Sequence, residues 1–168
     1  MNGKVNKLEE KVAALQSVCE EQEQYSRRNF LRFQGIKEIP DKCTDDTIIR
    51  LASEKMNVEL RPCDIDRSHR LAPRSGTANG RPHSIIVKFA SYNARQAVFS
   101  KRTKLKGTNV YVHEDLTAYR QQLLRKVRQS PDVAKTWTND GRIKALLKNN
   151  EKVSIQSEKD LDKLNATY

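Results

Sequence analysis

The side chains that carry most protein chemistry are few and widely separated in this sequence. The histidines, His69, His83 and His113, have no cysteine beside them, and the three cysteines, at positions 19, 43 and 63, form no close pair. Zinc sites and disulfide frameworks both need closely spaced or paired ligands. We therefore expect no cofactor, metal or disulfide. A His69–His113 pair across a sheet is the one metal site left open, and solvated histidines are the commoner case.

Catalytic motifs are also missing. The sequence has no Walker loop and no nucleophile elbow. Asp45-Asp46 is typical of the start of a helix, where carboxylates are favoured, rather than of a metal-dependent nuclease. Glu114-Asp115 reads as an acid pair at a domain junction. We therefore predict that the protein is not an enzyme, and we keep nucleic-acid cleavage only as a minor alternative.

The charge of the chain points to a polyanionic partner. Its 168 residues carry 32 Lys and Arg against 21 Asp and Glu, a formal charge of +11. Residues 1–29 are net neutral, 30–116 carry +6 and 117–168 carry +5. So widely spread an excess suits a polyanion better than one small anion, although basic residues that only maintain solubility are the alternative. No apolar run reaches the about 18–20 residues of a membrane span, and we expect no membrane partner and no secretion.

The first segment, 1–29, has the pattern of a short coiled coil. Apolar or small residues recur at spacings of three and four, at Val5, Leu8, Val12, Leu15 and Cys19. So narrow a stripe favours a partner helix over packing on the chain's own domain. The a/d residues alone suggest a dimer. We name these five residues as the candidate oligomerisation residues.

The middle segment, 30–116, has a βαββαβ rhythm. Strands are predicted at 30–36, 64–71, 84–89 and 109–113. One helix, capped by Thr44 or Asp45, is predicted to run to about Met56, and a second from Asn93 to about Arg102. A turn-rich stretch covers 72–82. This order predicts a four-stranded antiparallel sheet with both helices on one face, a ferredoxin-like, RNA-recognition-type domain.

Alternation along the strands assigns side chains to the two faces of that sheet. Leu31, Phe33, Val87, Phe89, Val110 and Val112 should face the helices, and Ala94, Ala97 and Val98 should face the sheet from the second helix. Arg32, Gln34, Ser84, Ile86, Lys88, Tyr111 and His113 should face away. Arg32, Ser84 and Ile86 occupy positions where such domains carry stacking aromatics, so we expect phosphate and shape contacts to dominate. Protein or metabolite binding is the alternative for such a face.

The last segment, 117–168, is predicted as a small α+β domain. A helix over 119–128 should point Leu123, Leu124 and Val127 inward and Arg120, Arg125, Lys126 and Arg128 outward. After Pro131 we predict a second helical stretch to Lys135. A turn at 139–141, a hairpin of 142–147 with 152–155 and a helix beginning at Ser157 complete the segment.

Several blocks together resemble one known family over essentially the whole chain. They are the coiled coil, YSRRNFLRFQGI at 25–36, DRSHRL at 66–71, IIVKF at 85–89, DGRI at 140–143 and SEKDL at 157–161. The chain resembles the first open-reading-frame protein of long interspersed (non-LTR) retrotransposons, also called transposase-22-like. The resemblance implies a homo-oligomeric chaperone that binds single-stranded RNA and DNA and packages the element's RNA into a cytoplasmic ribonucleoprotein, with a nuclear location as a second option.

The resemblance also implies particular residues. The family's basic contacts fall on Arg27, Arg28, Arg70 and Arg125, and Lys88 stands where an Arg is often found. The family's trimer pattern is matched over Lys4–Glu9 with Lys in place of Arg, which slightly favours a trimer over a dimer. With the basic and aromatic residues of the two domains, the candidate nucleic-acid contacts are Arg27, Arg28, Arg32, Arg67, Arg70, Lys88, Lys101, Arg102, Lys104, Tyr111, Arg120, Arg125, Arg142 and Lys144. The alternative function is a coiled-coil adaptor whose sheet binds protein.

Overall fold

A computed structural model describes residues 2–72 and 80–165, with the backbone alone for residue 2 and residues 163–165. Most of the turn-rich stretch predicted at 72–82 lies outside these residues. The helices are α1 (Asn2–Ser26), α2 (Thr44–Leu51), α3 (Tyr92–Ser100), α4 (Ala118–Gln129) and α5 (Glu158–Asn165). The strands are β1 (Phe30–Gln34), β2 (Ile65–Arg70), β3 (Ile85–Phe89), β4 (Tyr111–Glu114), β5 (Val133–Asn139), β6 (Arg142–Leu147) and β7 (Lys152–Ile155).

The chain forms two compact units. One is Asn29–Asp115, and the other combines Met1–Arg28 with Leu116–Tyr168. Both contain an antiparallel sheet, and the chain begins its described part with a long helix. The predicted α+β class is therefore confirmed.

The unit Asn29–Asp115 is built on a four-stranded antiparallel sheet in the order β2-β3-β1-β4. Strand alternation places Leu31, Phe33, Val87, Phe89 and Val112 in the core, as predicted, and Val110 is half-buried against it. The same core takes Ile48, Ala52 and Met56 from α2 and the wider turn Ala52–Met56 that continues it. Because all these side chains share one core, the other face of the sheet remains exposed.

The two helices of this unit correct two predictions. The residue that caps α2 is Cys43, without a side-chain hydrogen bond, rather than Thr44 or Asp45. Those two side chains instead contact the Ser68 hydroxyl, which bonds to the Asp45 carboxylate.

In α3, Val98 is buried as predicted and Ala94 packs against the core, but Ala97 is exposed. Arg95 and Phe99 occupy the inner face. Arg95 can be buried because its guanidinium pairs with the Glu114 carboxylate and lies 4.6 Å from the Phe99 ring centre. A charged residue on the inner face breaks the apolar period on which the prediction relied.

The second unit packs a three-stranded antiparallel sheet, in the order β5-β6-β7, against α4. Its core contains Leu123, Leu124 and Val127 from α4, as predicted, together with Ile143, Ala145 and Ile155 from the sheet. The predicted hairpin is the β6–β7 pair, in which Ala145 lies opposite Val153. Ser157 precedes α5, and the Asp160 carboxylate accepts a hydrogen bond from the Ser157 N–H at 3.0 Å.

The helical stretch predicted after Pro131 is wrong. Residues Val133–Asn139 form β5, which pairs with β6 from Val133 opposite Leu147 to Asn139 opposite Arg142. Thr136, Trp137 and Thr138 have high β propensity, and pairing with β6 satisfies their backbone groups. The turn predicted at 139–141 is present, with positive φ at Asp140 and Gly141, the geometry of a two-residue hairpin loop.

Candidate nucleic-acid interface

The exposed face of the four-stranded sheet is the largest grouping of the predicted contact residues. Directly opposite residues of antiparallel strands point to the same face. The register therefore defines three rows on this face. They are Arg67, Lys88 and Phe30; His69, Ile86, Arg32 and His113; and Gln34 with Tyr111. We call these nine residues the open sheet face.

The open sheet face carries more rings than the sequence indicated. Tyr111 is 59% exposed, and its ring lies nearly parallel to that of His113, at 11° with centroids 6.4 Å apart. Two further rings share the face: that of Phe30, which is half-buried, and that of His69, which is exposed. The alternation of Phe30 with Arg32 and Gln34 is the signal by which Phe30 could have been found. Exposed rings of this kind provide surfaces for base stacking.

The three predicted cations of this face differ in their partners. Arg32 donates to the Asp115 carboxylate at 2.6 Å. Lys88 pairs with Asp66, also at 2.6 Å, and its hydrogen bond holds the pKa of the Asp66 carboxyl below its usual value. Arg67 is exposed, and its side chain makes no hydrogen bond or ion pair within the described part of the chain. Arg67 is therefore the cation of this face that is available to a phosphate without displacing a carboxylate.

Arg70 points away from the open sheet face. Its guanidinium donates to the carbonyl oxygens of Ile36 at 2.8 Å, His83 at 2.6 Å and Lys37 at 2.9 Å. These bonds join the ends of β1, β2 and β3. Arg70 therefore helps to hold the strand ends together, and the nucleic-acid contact that the resemblance implies for it stays a prediction.

Three further candidates lie after α3. The guanidinium of Arg102 sits 4.0 Å from the Phe99 ring centre and donates to the Phe99 carbonyl oxygen at 2.8 Å. Lys101 and Lys104 are exposed, and their side chains have no hydrogen-bond or ion-pair partner among residues 2–72 and 80–165. These two lysines are therefore free to contact an anion.

The arginines at the end of α1 are held locally. Arg27 pairs with Glu23, four residues earlier, at 2.7 Å. The guanidinium of Arg28 lies 4.1 Å from the ring centre of Tyr25, and Tyr25 is exposed. Arg28 and Tyr25 together form an exposed cation–ring pair, which is a surface suited to an unpaired base.

Arg120 corrects a sequence prediction. It was expected to point outward and contact nucleic acid, but the residue is only 7% exposed. Its guanidinium contacts the Glu20 carboxylate at 2.9 and 3.0 Å, Glu21 at 2.6 Å and the carbonyl oxygen of Gly141 at 3.0 Å. The Thr117 hydroxyl donates to Glu20 as well, at 2.7 Å. Arg120 therefore joins the end of α1 to the segment that begins at Leu116.

The remaining candidates of this unit are exposed or half-buried. Arg125 is on the solvent side of α4, and Arg142 and Lys144 lie on β6. None of these three side chains has a hydrogen-bond or ion-pair partner within the described residues. All three are available to an anionic ligand.

The apolar stripe of α1 is exposed. Val5, Leu8, Val12 and Leu15 have exposures between 51% and 64%, and Cys19 is also exposed. None of these side chains is part of either core cluster. From Val5 to Cys19 the stripe follows about 21 Å of helix, and an exposed apolar stripe of this kind is a surface that a partner helix can cover.

The described residues contain neither a metal-binding cluster nor a membrane-spanning helix. Within residues 2–72 and 80–165, no three His, Cys, Asp or Glu side chains come together in a group that could hold a metal ion. Among the helices described, none combines the length and the apolar character needed to cross a bilayer.

Comparison with known proteins adds no assignment: no protein-family model matches the chain, and no curated protein matches it either.

Proposed function

We propose that the protein binds single-stranded RNA and DNA and acts as a strand chaperone. The observation that carries this proposal is the open sheet face, which combines the unpaired cation of Arg67 with the exposed rings of Tyr111 and His69. Single strands are bound by positive surfaces that follow the backbone and by rings on which bases stack. Contacts of this kind are weak individually and sequence-tolerant, as strand annealing requires.

The strand arrangement supports the same proposal. A βαββαβ chain with the sheet order β2-β3-β1-β4 and both helices packed into one core is the arrangement expected of a ferredoxin-like, RNA-recognition-type domain. In such domains the exposed sheet face is the nucleic-acid surface. We assign that role to the open sheet face here.

Self-association is the second part of the proposal. We infer that Val5, Leu8, Val12, Leu15 and Cys19 form the seam of a parallel coiled coil, with a trimer favoured over a dimer. Several basic units on one stalk bind one strand together, and such linkage raises apparent affinity by about 10²–10⁴-fold without new contacts. These features support membership of the retrotransposon protein family named above, a role in packaging RNA into a ribonucleoprotein, and a binding rather than a catalytic activity.

The test compares two arginines of the same unit. Arg67 lies on the open sheet face, and Arg50 is exposed on α2, which packs on the other side of the sheet. Fluorescence anisotropy with a labelled single-stranded oligonucleotide measures the affinity of each variant. Arg67→Ala should weaken binding to all sequences alike and reduce the slope of log K against log salt by about 0.7, and Arg50→Ala should leave both unchanged.

Two results would refute this assignment. Equal effects of the two substitutions would mean that only the total charge matters and that the open sheet face has no special role. Absence of binding even at low salt would reject nucleic-acid binding and favour the adaptor, in which the sheet contacts protein.

A further inference from the structure

The three-stranded sheet has an exposed face, which carries two of the candidate nucleic-acid contacts, Arg142 and Lys144. One face of this sheet packs into the core beneath α4, through the side chains of Ile143, Ala145 and Ile155. Thr136 also points to that side, since its hydroxyl accepts from Arg128 of α4 at 3.3 Å. The residues that alternate with these point to the opposite face.

The strand register defines that opposite face. Trp137 lies across from Lys144 and Lys144 from Ser154, and Leu146 lies between Lys135 and Lys152. Asn139 lies across from Arg142 at the end of the sheet. We call the eight residues the C-terminal sheet face: Lys135, Trp137, Asn139, Arg142, Lys144, Leu146, Lys152 and Ser154.

The charge of the C-terminal sheet face is of one sign. Four of its eight residues are cationic, Lys135, Arg142, Lys144 and Lys152, and none is acidic. Within the described residues, none of these four side chains makes a hydrogen bond or an ion pair. On the open sheet face, by contrast, Arg32 and Lys88 are each paired with a carboxylate. Neighbouring strands lie about 4.8 Å apart, so the four unpaired cations are close together. Such a cluster favours a polyanionic ligand.

Trp137 gives this face a means of binding bases. It is the single tryptophan of the chain, is half-buried, and lies directly opposite Lys144 on the neighbouring strand. Stacking between a base and an aromatic side chain is tolerant of sequence because every base has a π-face. A tryptophan ring among cations is thus the combination that single-stranded nucleic acid requires.

We infer that the C-terminal sheet face is a second binding surface for single-stranded nucleic acid, with Trp137 as its stacking residue and the four cations as phosphate contacts. The inference rests on the proposed function and adds a separate site to it. Acidic proteins share the negative charge of nucleic acid but have no bases to stack. A strand without bases therefore distinguishes the two kinds of ligand.

Trp137 provides a local readout because no other tryptophan contributes to the emission. The full chain is titrated with a labelled single-stranded oligonucleotide while tryptophan emission and oligonucleotide anisotropy are followed together. We expect the emission of Trp137 to be quenched in step with the rise in anisotropy. A rise in anisotropy with unchanged emission would overturn the inference and leave the proposed function intact. No change in either signal would reject the proposed function itself.

A strand of the same length without bases separates stacking from charge. This abasic strand keeps every phosphate, so it should bind more weakly and leave the emission of Trp137 unchanged. Equal quenching by the abasic strand would show a general anion surface, as an acidic protein partner would use, and would overturn the stacking role.

Variants complete the test. Trp137→Ala should weaken binding by between about 5-fold and 150-fold, the effect of losing one stacked base, and Trp137→Phe should retain most of the affinity. Lys135→Ala combined with Lys152→Ala should reduce the salt slope by about 1.4. The control, Lys7→Ala combined with Lys159→Ala, removes the same charge from exposed positions of the same unit and should leave the slope unchanged. Equal slopes for the two double variants would contradict the inference.

Discussion

Replacing Arg120 by alanine should destabilise the protein without removing its affinity for single strands. Arg120 is the one buried cation among the predicted nucleic-acid contacts of its unit, and its guanidinium is bonded to Glu20, Glu21 and the carbonyl oxygen of Gly141. Alanine would leave the Glu20 carboxylate, which is 18% exposed, without its main partner. The variant therefore separates a structural role from the binding role that the sequence suggested.

The expected magnitude follows from burial. Removing one partner of a buried ion pair costs about 3–5 kcal/mol, because the other charge stays behind unpaired. The Glu21 side chain is 60% exposed, so its bond to Arg120 is screened by solvent and adds little. We therefore expect about 3 kcal/mol, the lower end of that range, which is a large share of the about 5–15 kcal/mol by which domains are stable.

Urea unfolding followed by the emission of Trp137 measures this effect, because Trp137 and Arg120 belong to the same unit. A loss of about 3 kcal/mol lowers the urea midpoint by about 1–3 M. The matched control is Arg125→Ala, on the exposed side of the same helix, which should change stability by less than about 0.5 kcal/mol but weaken binding. An unchanged midpoint for Arg120→Ala would refute the ion-pair assignment, and so would a loss of affinity in the folded variant equal to that of Arg125→Ala.

Three further predictions follow from the same structure. Asp66→Asn should release the Lys88 ammonium and steepen the salt dependence of single-strand binding by about 0.7, as measured by anisotropy titrations at several salt concentrations. Gly35→Ala should destabilise the protein more than Gly107→Ala in thermal unfolding. Both have positive φ, +86° and +84°, but only the new Cβ at 35 would lie 2.0 Å from a backbone carbonyl oxygen. Leu8→Asp should lower the mass found by sedimentation equilibrium, because self-association would then bury the charge of the aspartate side chain between the helices.

A specific result would contradict each of these three predictions. A salt slope that is unchanged or shallower in Asp66→Asn would mean that Lys88 does not reach a phosphate. Equal losses for the two glycine variants, each about 1–2 kcal/mol from the left-handed conformation alone, would mean that the close contact at Gly35 is relieved. The stripe variant has Asn6→Asp as its control, since Asn6 is exposed on the same helix but off the stripe. Equal masses for the two variants would contradict the proposal that the stripe is the seam of a coiled coil.

The sequence predicted the faces of the four-stranded sheet because alternation is a local signal. Leu31 and Phe33 are buried and Arg32 between them is not, which the residue types alone indicate. The same reasoning failed on α3, where Arg95 is buried by pairing with Glu114. Arg95 and Glu114 are 19 residues apart in the sequence, so the residues around Arg95 give no sign of the pairing.

Long-range pairing also explains the errors in the last segment. Arg120 reads as a surface cation because its partners, Glu20 and Glu21, lie about 100 residues away in the sequence. β5 was missed because a short stretch after Pro131 has no clear period, and its pairing with β6 decides its conformation. The candidate site was predicted as a set of basic residues, but their ion pairs determine which of them remain free, and these pairs required the structure.

The most direct test of the whole account is sedimentation velocity of the full chain with a labelled single-stranded oligonucleotide at low ionic strength. We expect the protein to sediment as a homo-oligomer and to carry the oligonucleotide with it. Monomers that leave the oligonucleotide at its own sedimentation coefficient would contradict both the helical seam and the nucleic-acid surface.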